Sequence, residues 1–164
     1  MIYIFYVASK LERDSQVDII LLDFAKAFDK VPHHRLLHKL EYYGVNPKTN
    51  RWIRSFLENR KQSIILEGTV SKQVPVLSGV PQGTVLGPLL FLAYINDMPE
   101  TATSSEIILF ADDSLLYHTI NNQTDSDLLQ RDLTTLEDSE NKWQMSFNAK
   151  KMHCHQNSTK KTKR

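Results

Sequence analysis

The chain has 164 residues, of which 41% are apolar and 24% charged, a composition that suits one domain with its own hydrophobic core. Its single cysteine, Cys154, excludes an internal disulfide framework. The longest apolar stretch, VLGPLLFLAYI, is too short to cross a bilayer, and the N-terminal MIYIFYVA lacks the basic region of a signal peptide, so we interpret it as core sequence.

Acidic and basic residues are unevenly distributed along the chain. All 19 acidic residues lie at or before Glu140, so residues 1–140 carry a net charge of −6 and the remainder carries +7. A basic tail is either a phosphate-binding arm or a solvated, frayed terminus, and the second is the commoner case. We therefore expect a folded domain over residues 1–152 and a basic, disordered tail over residues 153–164.

The first predicted elements are a strand and two helices. The continuous apolar run VDIILLD, residues 17–23, is typical of a strand buried on both faces. A helix follows Pro32 and ends near Gly44, and a second helix begins at the cap residue Asn46 with Pro47 in its first turn. The first helix has Leu36, Leu37, Leu40 and Tyr43 at helical spacing, and the second is predicted to bury Ile53, Phe56 and Leu57.

Short strands and an apolar helix are predicted for the middle of the chain. Two short strands flank a turn at Gly68, and the loop SGVPQGTVLGP then leads into a helix that runs to about Asn96. This helix is apolar on all sides, which predicts that it is buried.

A hairpin and a long helix complete the pattern. The segments EIILF and SLLYHTI form a hairpin around Asp112 and Asp113, and the helix runs from Thr124 to about Met145, with Thr124 and Asp127 as a variant capping box. With residues 61–76 set aside as an insertion, the order is strand, helix, strand, strand, helix. This order predicts an α+β fold with a ferredoxin-like split βαβ antiparallel sheet packed on helices.

This topology brings three carboxylates together. The third strand lies between the first two, so Asp23, at the end of the first strand, approaches the turn that holds Asp112 and Asp113. Neighbouring carboxylates repel each other unless cations neutralise them, and oxygen-rich sites suit Mg²⁺. Two such ions serve phosphoryl transfer, so the cluster indicates nucleotidyl or phosphodiester chemistry without separating synthesis from cleavage. On its own, FADD is typical of an ordinary turn.

Four segments resemble the motifs of reverse transcriptases, in the order and spacing of that family. LLDFAKAFDKVPHHRLLHKL resembles motif A, LSGVPQGTVLGPLLFLAYINDMP motif B, LFADDSLLY motif C, and WQMSFNAKK the end of motif D. The sequences of these motifs most resemble those of the enzymes of non-LTR (LINE-type) retrotransposons, and the resemblance covers roughly residues 17–152. It implies the palm domain of an RNA-directed DNA polymerase, a nucleotidyltransferase that adds dNTPs to a primer 3′-hydroxyl by a two-metal mechanism.

The resemblance also implies the catalytic residues. Asp23 and Asp112 would be the principal metal ligands and Asp113 the third catalytic carboxylate, for two Mg²⁺ ions that Mn²⁺ can replace. Lys151 would be a proton donor to the pyrophosphate leaving group, with Lys150 as the neighbouring contender. A surface lysine is the plainer interpretation of either.

Nucleotide contacts are implied for four further residues. Phe28 would pack where a ribose 2′-hydroxyl projects and so favour deoxynucleotides, although a core aromatic residue is an equally ordinary interpretation. Gln82 would contact the incoming nucleotide or the template strand, and Gly83 would shape the backbone beside it. Phe24 is assigned to the same nucleotide-binding group.

Other interpretations remain open from the sequence. Asp29 resembles the aspartate with which RNA-dependent RNA polymerases recognise a ribose hydroxyl, although Phe28 and motif B favour a reverse transcriptase. A two-metal nuclease would leave motif B without a purpose. His153, Cys154 and His155 could suggest a zinc site, but three consecutive ligands cannot readily surround the ion. His33, His34 and His38 lie near a helix start and are interpreted as surface or capping residues.

The resemblance implies an RNA template, a DNA primer and dNTPs as partners, no membrane, and an intracellular, nuclear site of action. It also implies fingers and thumb segments of a longer polyprotein, which we expect to be incomplete and missing, respectively, in this chain. Met152 stands where the family usually has a cysteine. The alternative is therefore a truncated, non-polymerising remnant or a co-opted nucleic-acid-binding module.

Overall fold

The computed structural model describes residues 16–149 and 151–157. Residues 26–96 form one compact unit, here called the helical unit, and the other described residues form a second, here called the sheet unit. The predicted core segment MIYIFYVA and the contender Lys150 lie outside the described residues. No helix in the described part of the chain is both long and apolar enough to cross a membrane.

The regular elements of the described residues follow one another in chain order. They are β1 (Gln16–Asp23), α1 (Ala27–Lys30), α2 (His33–Tyr42), α3 (Pro47–Leu57), β2 (Lys61–Gln62), β3 (Ile65–Leu66), β4 (Thr69–Val70), β5 (Val74–Pro75), α4 (Leu86–Ile95), a 3₁₀ helix (Met98–Thr101), β6 (Glu106–Phe110), β7 (Asp113–Ile120), α5 (Gln123–Trp143) and β8 (His153–Asn157).

The sheet unit is built on a four-stranded antiparallel sheet in the order β6-β7-β1-β8. This is the strand order of a ferredoxin-like sheet, and the prediction that the third strand lies between the first two is confirmed. Across the β1–β7 ladder Leu21 lies opposite Leu115 and Asp23 opposite Asp113. On that same face the buried residues Val17, Ile19, Leu115 and Tyr117 pack with Ile108.

Helix α5 packs against β7 and buries an apolar stripe that includes Leu129, Leu136 and Trp143. Its capping box uses Asn122 and Asp125, not the predicted Thr124 and Asp127. Both pairs have the required spacing, but the carboxylate of Asp125 accepts hydrogen bonds from the backbone N–H groups of both Asn121 and Asn122, which begins the helix earlier.

The predicted disordered tail is wrong for its first five residues. Residues 153–157 form β8, which pairs with β1 along the edge that β7 leaves open. The sequence HCHQN has no apolar alternation, and the strand forms because the unpaired backbone groups at the edge of β1 accept a neighbour. Residues 158–164 lie outside the described residues.

Three helices form the core of the helical unit. Helix α2 packs against both α3 and α4, and Asn46 caps α3 as predicted, accepting a hydrogen bond from the backbone N–H of Lys48. The Nδ2 of Asn50 donates to the carbonyl of Leu37 and joins α3 to α2. The buried apolar residues of these helices are Leu36, Leu37, Leu40, Ile53, Leu57, Leu90, Phe91, Tyr94 and Ile95.

Two predictions for this unit need correction. Helix α4 is not buried on all sides, because Leu89 is 58% exposed and only the face with Leu90, Phe91 and Tyr94 packs inward. The two short strands expected around Gly68 are four, which pair as β2 with β5 and β3 with β4. The paired strands satisfy each other's backbone N–H and C=O groups, while the apolar residues of β3 stay exposed.

A buried carboxylate ties α5 to the segment before β6. Asp132 is 1% exposed, and its oxygens accept hydrogen bonds from the backbone N–H groups of Thr103, Ser104 and Ser105. Burial by itself would raise the pKa of Asp132, but the hydrogen bonds from Ser105, Thr103 and Ser104 outweigh it and hold the pKa below its ordinary value of 3.8. Asp132 therefore stabilises the fold in its charged form.

We expect Asp132→Asn to lower the free energy of unfolding at pH 7 by about 1–3 kcal/mol, because an amide nitrogen cannot accept two of these hydrogen bonds. The pKa is lowered in the folded state, so the stabilisation is complete above about pH 4 and is lost as the pH falls through the folded-state pKa. Urea denaturation of both proteins between pH 7 and pH 3 measures the difference.

Asp138→Asn, which changes an exposed carboxylate on the same helix, is the matched control and should be neutral at each pH. Equal stability of wild type and Asp132→Asn at pH 7 would contradict the role of Asp132. So would a difference that does not narrow at low pH.

Candidate active site

A two-residue loop presents the paired aspartates of the β6–β7 hairpin. Phe110 pairs with Asp113, so only Ala111 and Asp112 lie between the strands. Ala111 has φ 53°, in the left-handed region that tight hairpin turns require at their first central position. Asp112 is therefore held at the tip of the hairpin, and Asp113 is the first residue of β7.

Asp23 and Asp113 face each other across the β1–β7 ladder. Asp23 is the last residue of β1, and directly opposed residues of antiparallel strands have Cβ atoms about 4.5–5.5 Å apart. Like charges in that relation repel each other and destabilise the sheet. The register thus creates a local concentration of negative charge at one end of the sheet.

Two residues from the segment after α5 contact the carboxylate of Asp23. The Nζ of Lys151 lies 3.2 Å from its Oδ2, and the Nδ2 of Asn148 donates to the same oxygen at 3.4 Å. The backbone N–H of Asn148 also donates to the carbonyl of Asp23, at 2.7 Å. Lys151 and Asn148 therefore orient Asp23 and offset its charge.

The same segment extends the sheet beyond the end of β1. Phe24 and Phe147 form an antiparallel bridge and their rings stack with centroids 4.8 Å apart, while the N–H of Ala25 donates to the carbonyl of Ser146. Phe24 is only 5% exposed. The ring of Phe24 thus packs beside the segment that carries Asn148 and Lys151, and its predicted nucleotide contact stays a prediction.

A pocket of about 410 Å³ opens at this end of the sheet. Its lining residues are Leu21, Leu22, Asp23, Asp113, Ser114, Leu115, Lys151 and His153. Its charged groups are two carboxylates and one ammonium group, and leucines form much of its apolar wall.

The donor atoms of the predicted metal ligands are carboxylate oxygens, the type that Mg²⁺ prefers. The approach of Asp23 to the hairpin turn agrees with the sequence prediction. The described residues nevertheless contain no preformed group of three His, Cys, Asp or Glu side chains that could hold a metal ion. The ammonium group of Lys151 partly offsets the charge of Asp23.

The other three predicted nucleotide-binding residues, Phe28, Gln82 and Gly83, lie in the helical unit. Phe28 belongs to α1, and its ring stacks on that of Phe91 from α4 with centroids 4.9 Å apart. Gln82 and Gly83 lie in the loop before α4, where both are exposed and Gly83 has φ 80°. The ring of Phe28 is thus held by its stacking on Phe91, and the exposed side chain of Gln82 is accessible to a ligand.

Three residues near these sites were missed from the sequence. Asn148 and His153 follow a long polar helix, where nothing in the pattern marks a contact to Asp23 or a pocket wall. His33 was interpreted as a surface or capping residue and is instead buried. The signal was present for His33, which precedes Leu36, Leu37 and Leu40 at the spacing of one helix face.

Comparison with known proteins agrees with this arrangement. Residues 8–162 match the family described as reverse transcriptase (RNA-dependent DNA polymerase). The chain therefore belongs to the reverse transcriptase family, and the prediction of a domain of the non-LTR, mobile-element type is confirmed.

Two relatives and one solved structure illustrate the likeness. The RNA-directed DNA polymerase from mobile element jockey of Drosophila funebris is 32% identical over 154 residues, which are 89% of this chain and 17% of that protein. The Pol polyprotein from type-1 retrotransposable element R2 of Popillia japonica is 29% identical over 160 residues, 89% of this chain and 22% of that protein. A telomerase structure from Candida tropicalis, in complex with a fragment of telomeric RNA, gives a TM-score of 0.72 at 13% identity over 96% of this chain and 29% of that one, which shows a shared fold.

We expect Asp113→Asn to raise the free energy of unfolding in metal-free, low-salt buffer by about 0.2–1 kcal/mol, because it removes one of two directly opposed negative charges. Urea denaturation followed by circular dichroism measures the change, and added salt should reduce it. Asp138→Asn on α5 is the control. Stability of Asp113→Asn at or below that of the control would show that the two carboxylates do not repel each other.

Proposed function

We propose that this chain forms the polymerising centre, the palm, of a reverse transcriptase that adds dNTPs to the 3′-hydroxyl of a DNA primer on an RNA template. One observation carries the proposal. In a chain of this family, the β1–β7 register opposes Asp23 and Asp113 at the base of a hairpin whose tip is Asp112. A polymerising centre accounts for carboxylates from β1 and from the β6–β7 hairpin lying at the same end of one sheet.

Asp23, Asp112 and Asp113 would hold two Mg²⁺ ions, for which Mn²⁺ can substitute. Bound there, such ions polarise the phosphate and the reacting oxygens of nucleotidyl transfer. The chain's own groups prepare the ligands. Asn148 and Lys151 fix the orientation of the Asp23 carboxylate, and the apolar pairs behind it hold the β1–β7 register.

Lys151 is the candidate proton donor to the pyrophosphate leaving group. Its ammonium group contacts Asp23 and its side chain is 65% exposed, so it reaches the pocket while remaining open to solvent. An ammonium group in that position carries the proton that a departing phosphate oxygen needs, and its positive charge attracts the triphosphate.

Selection of the nucleotide is assigned to the helical unit. The ring of Phe28, supported by Phe91, would pack against the sugar and exclude a 2′-hydroxyl, and Gln82 with Gly83 would contact the base pair being formed or the template strand. The exposed carboxylate of Asp29 is the feature that would favour an RNA-dependent RNA polymerase instead. Comparison of dNTPs with NTPs distinguishes the two.

The remainder of the polymerase would come from other segments. The chain spans 17% and 22% of the two mobile-element relatives compared above. We propose that fingers, primer-grip and thumb segments of a longer polyprotein complete the grip on template, primer and triphosphate. Without them the chain would act as a nucleic-acid-binding module that does not polymerise.

We expect Asp112→Asn to reduce primer extension roughly 100- to 1,000-fold, because a metal ligand contributes several kcal/mol of charge stabilisation in the transition state. The assay uses an RNA template, a DNA primer, dNTPs or NTPs, and Mg²⁺ or Mn²⁺. The chain is tested alone and with related fingers and thumb segments added. Asp138→Asn, on the exposed side of α5, is the matched control and should extend like the wild type.

Each outcome is informative. Extension by Asp112→Asn at the wild-type rate would contradict the proposed site, and a preference of the wild type for NTPs would favour the RNA polymerase. A folded chain that binds the primer–template and extends it under no condition would show that it is the binding module.

A further inference from the structure

The loop that carries Gln82 is joined to the segment that carries Phe28 by three hydrogen bonds. The N–H of Gly79 donates to the carbonyl of Val31, and the N–H of Val80 donates to the carbonyl of Phe28. The hydroxyl of Ser78 donates to the carbonyl of Asp29. All of these residues lie within the helical unit.

Gly79 is the point of closest approach between the two segments. Its φ is 89°, and a Cβ at this position would lie 2.7 Å from the carbonyl oxygen of Phe28 and 2.8 Å from the Cα of Asp29. Only glycine combines that backbone conformation with that proximity. The loop therefore leaves this contact in a fixed direction, three residues before Gln82.

His33 contacts the carbonyl group of the same glycine. It is the first residue of α2, is 9% exposed, and its Nε2 lies 2.8 Å from the carbonyl oxygen of Gly79. Because a carbonyl oxygen only accepts, the proton of the ring must be on Nε2. No capping hydrogen bond from a side chain is found at the start of α2, so His33 does not serve the helix end.

We infer that His33 is a positioning residue, which through the Gly79 carbonyl fixes the Pro-Gln-Gly loop relative to Phe28 and so sets the binding of the incoming nucleotide. The effect on nucleotide binding rests on the proposed function. The fixed position of the loop rests only on contacts within the helical unit. A buried carbonyl that loses its donor is unfavourable, so the loop moves when His33 cannot donate.

The test compares three replacements of His33 that differ in whether they can donate a hydrogen bond to the Gly79 carbonyl. Glutamine places an amide N–H close to the position of Nε2 and should preserve the hydrogen bond, whereas leucine fills the site without a donor and asparagine is too short to reach. His34, adjacent in sequence and exposed, provides the control His34→Leu.

The first readout is hydrogen exchange at the backbone N–H groups of Gly79 and Val80, which does not depend on activity. We expect His33→Leu to accelerate their exchange at least tenfold, with wild-type exchange in His33→Gln and in His34→Leu. Should His33→Leu not fold, His33→Asn takes its place. Unchanged exchange, or equal acceleration in His33→Gln, would overturn the inference and leave His33 as a packing residue.

The second readout is steady-state extension in the assay described above. A rise in the KM for dNTPs of roughly 5- to 30-fold in His33→Leu, with a smaller change in kcat and recovery in His33→Gln, is the expected pattern. An equal fall in kcat with unchanged KM would contradict it. Loss of extension in the wild type would count against the proposed function alone, because the exchange experiment still decides the role of His33.

Discussion

The antiparallel register between β1 and β7 is the constraint on which the site depends. A slip of one residue would turn Asp23 to the opposite face of the sheet, together with all the remaining side chains of β1. Such a slip would force close-packed side chains on both faces to repack, with Val17 and Ile19 buried on one face and Ile20 and Leu22 buried on the other. The position of two carboxylates is thus decided by pairs of apolar residues further along the same strands.

The price of this arrangement is a sheet end that is electrostatically unfavourable. On the face of β1 that carries Asp23, exposure rises from Val17, which is inaccessible, to Leu21, which is 38% exposed, so the carboxylates lie where this face opens to solvent. Lys151 and Asn148 then partly offset and orient one of them. Functional sites commonly break a local rule that the surrounding structure can tolerate, and the opposed like charges on this sheet are consistent with the proposed site in that respect.

Much of this fold could be predicted because the strongest signals are long. The apolar run of β1, the hairpin around the two aspartates and the 21-residue helix α5 gave the strand order directly. The fourth strand escaped prediction because HCHQN has no alternating pattern and forms only against the edge of β1. The capping box was placed two residues late because Asn122 and Thr124 offer the same chemistry at the same spacing from an acidic residue.

The site was predictable only where the sequence pattern coincides with the contact. Asp23, Asp112 and Asp113 stand out because charges interrupt apolar runs, whereas Asn148 acts from a polar segment that resembles any loop. Phe24 shows a further limit, since an aromatic residue beside a predicted metal ligand suggests a ligand contact, and the sequence gives no sign that its ring packs on Phe147.

The most direct test of the account is a Mn²⁺ titration of the ¹⁵N-labelled chain, with the paramagnetic broadening of each backbone amide measured by NMR. If the carboxylates form the metal centre, broadening will saturate and will centre on Asp23, Asp112 and Asp113, and Asp23→Asn will greatly weaken it. Broadening that centres elsewhere, for example on Asp125 and Asp127 at the start of α5, or that is unchanged in Asp23→Asn, would contradict the claim that the β1–β7 register builds a cation site.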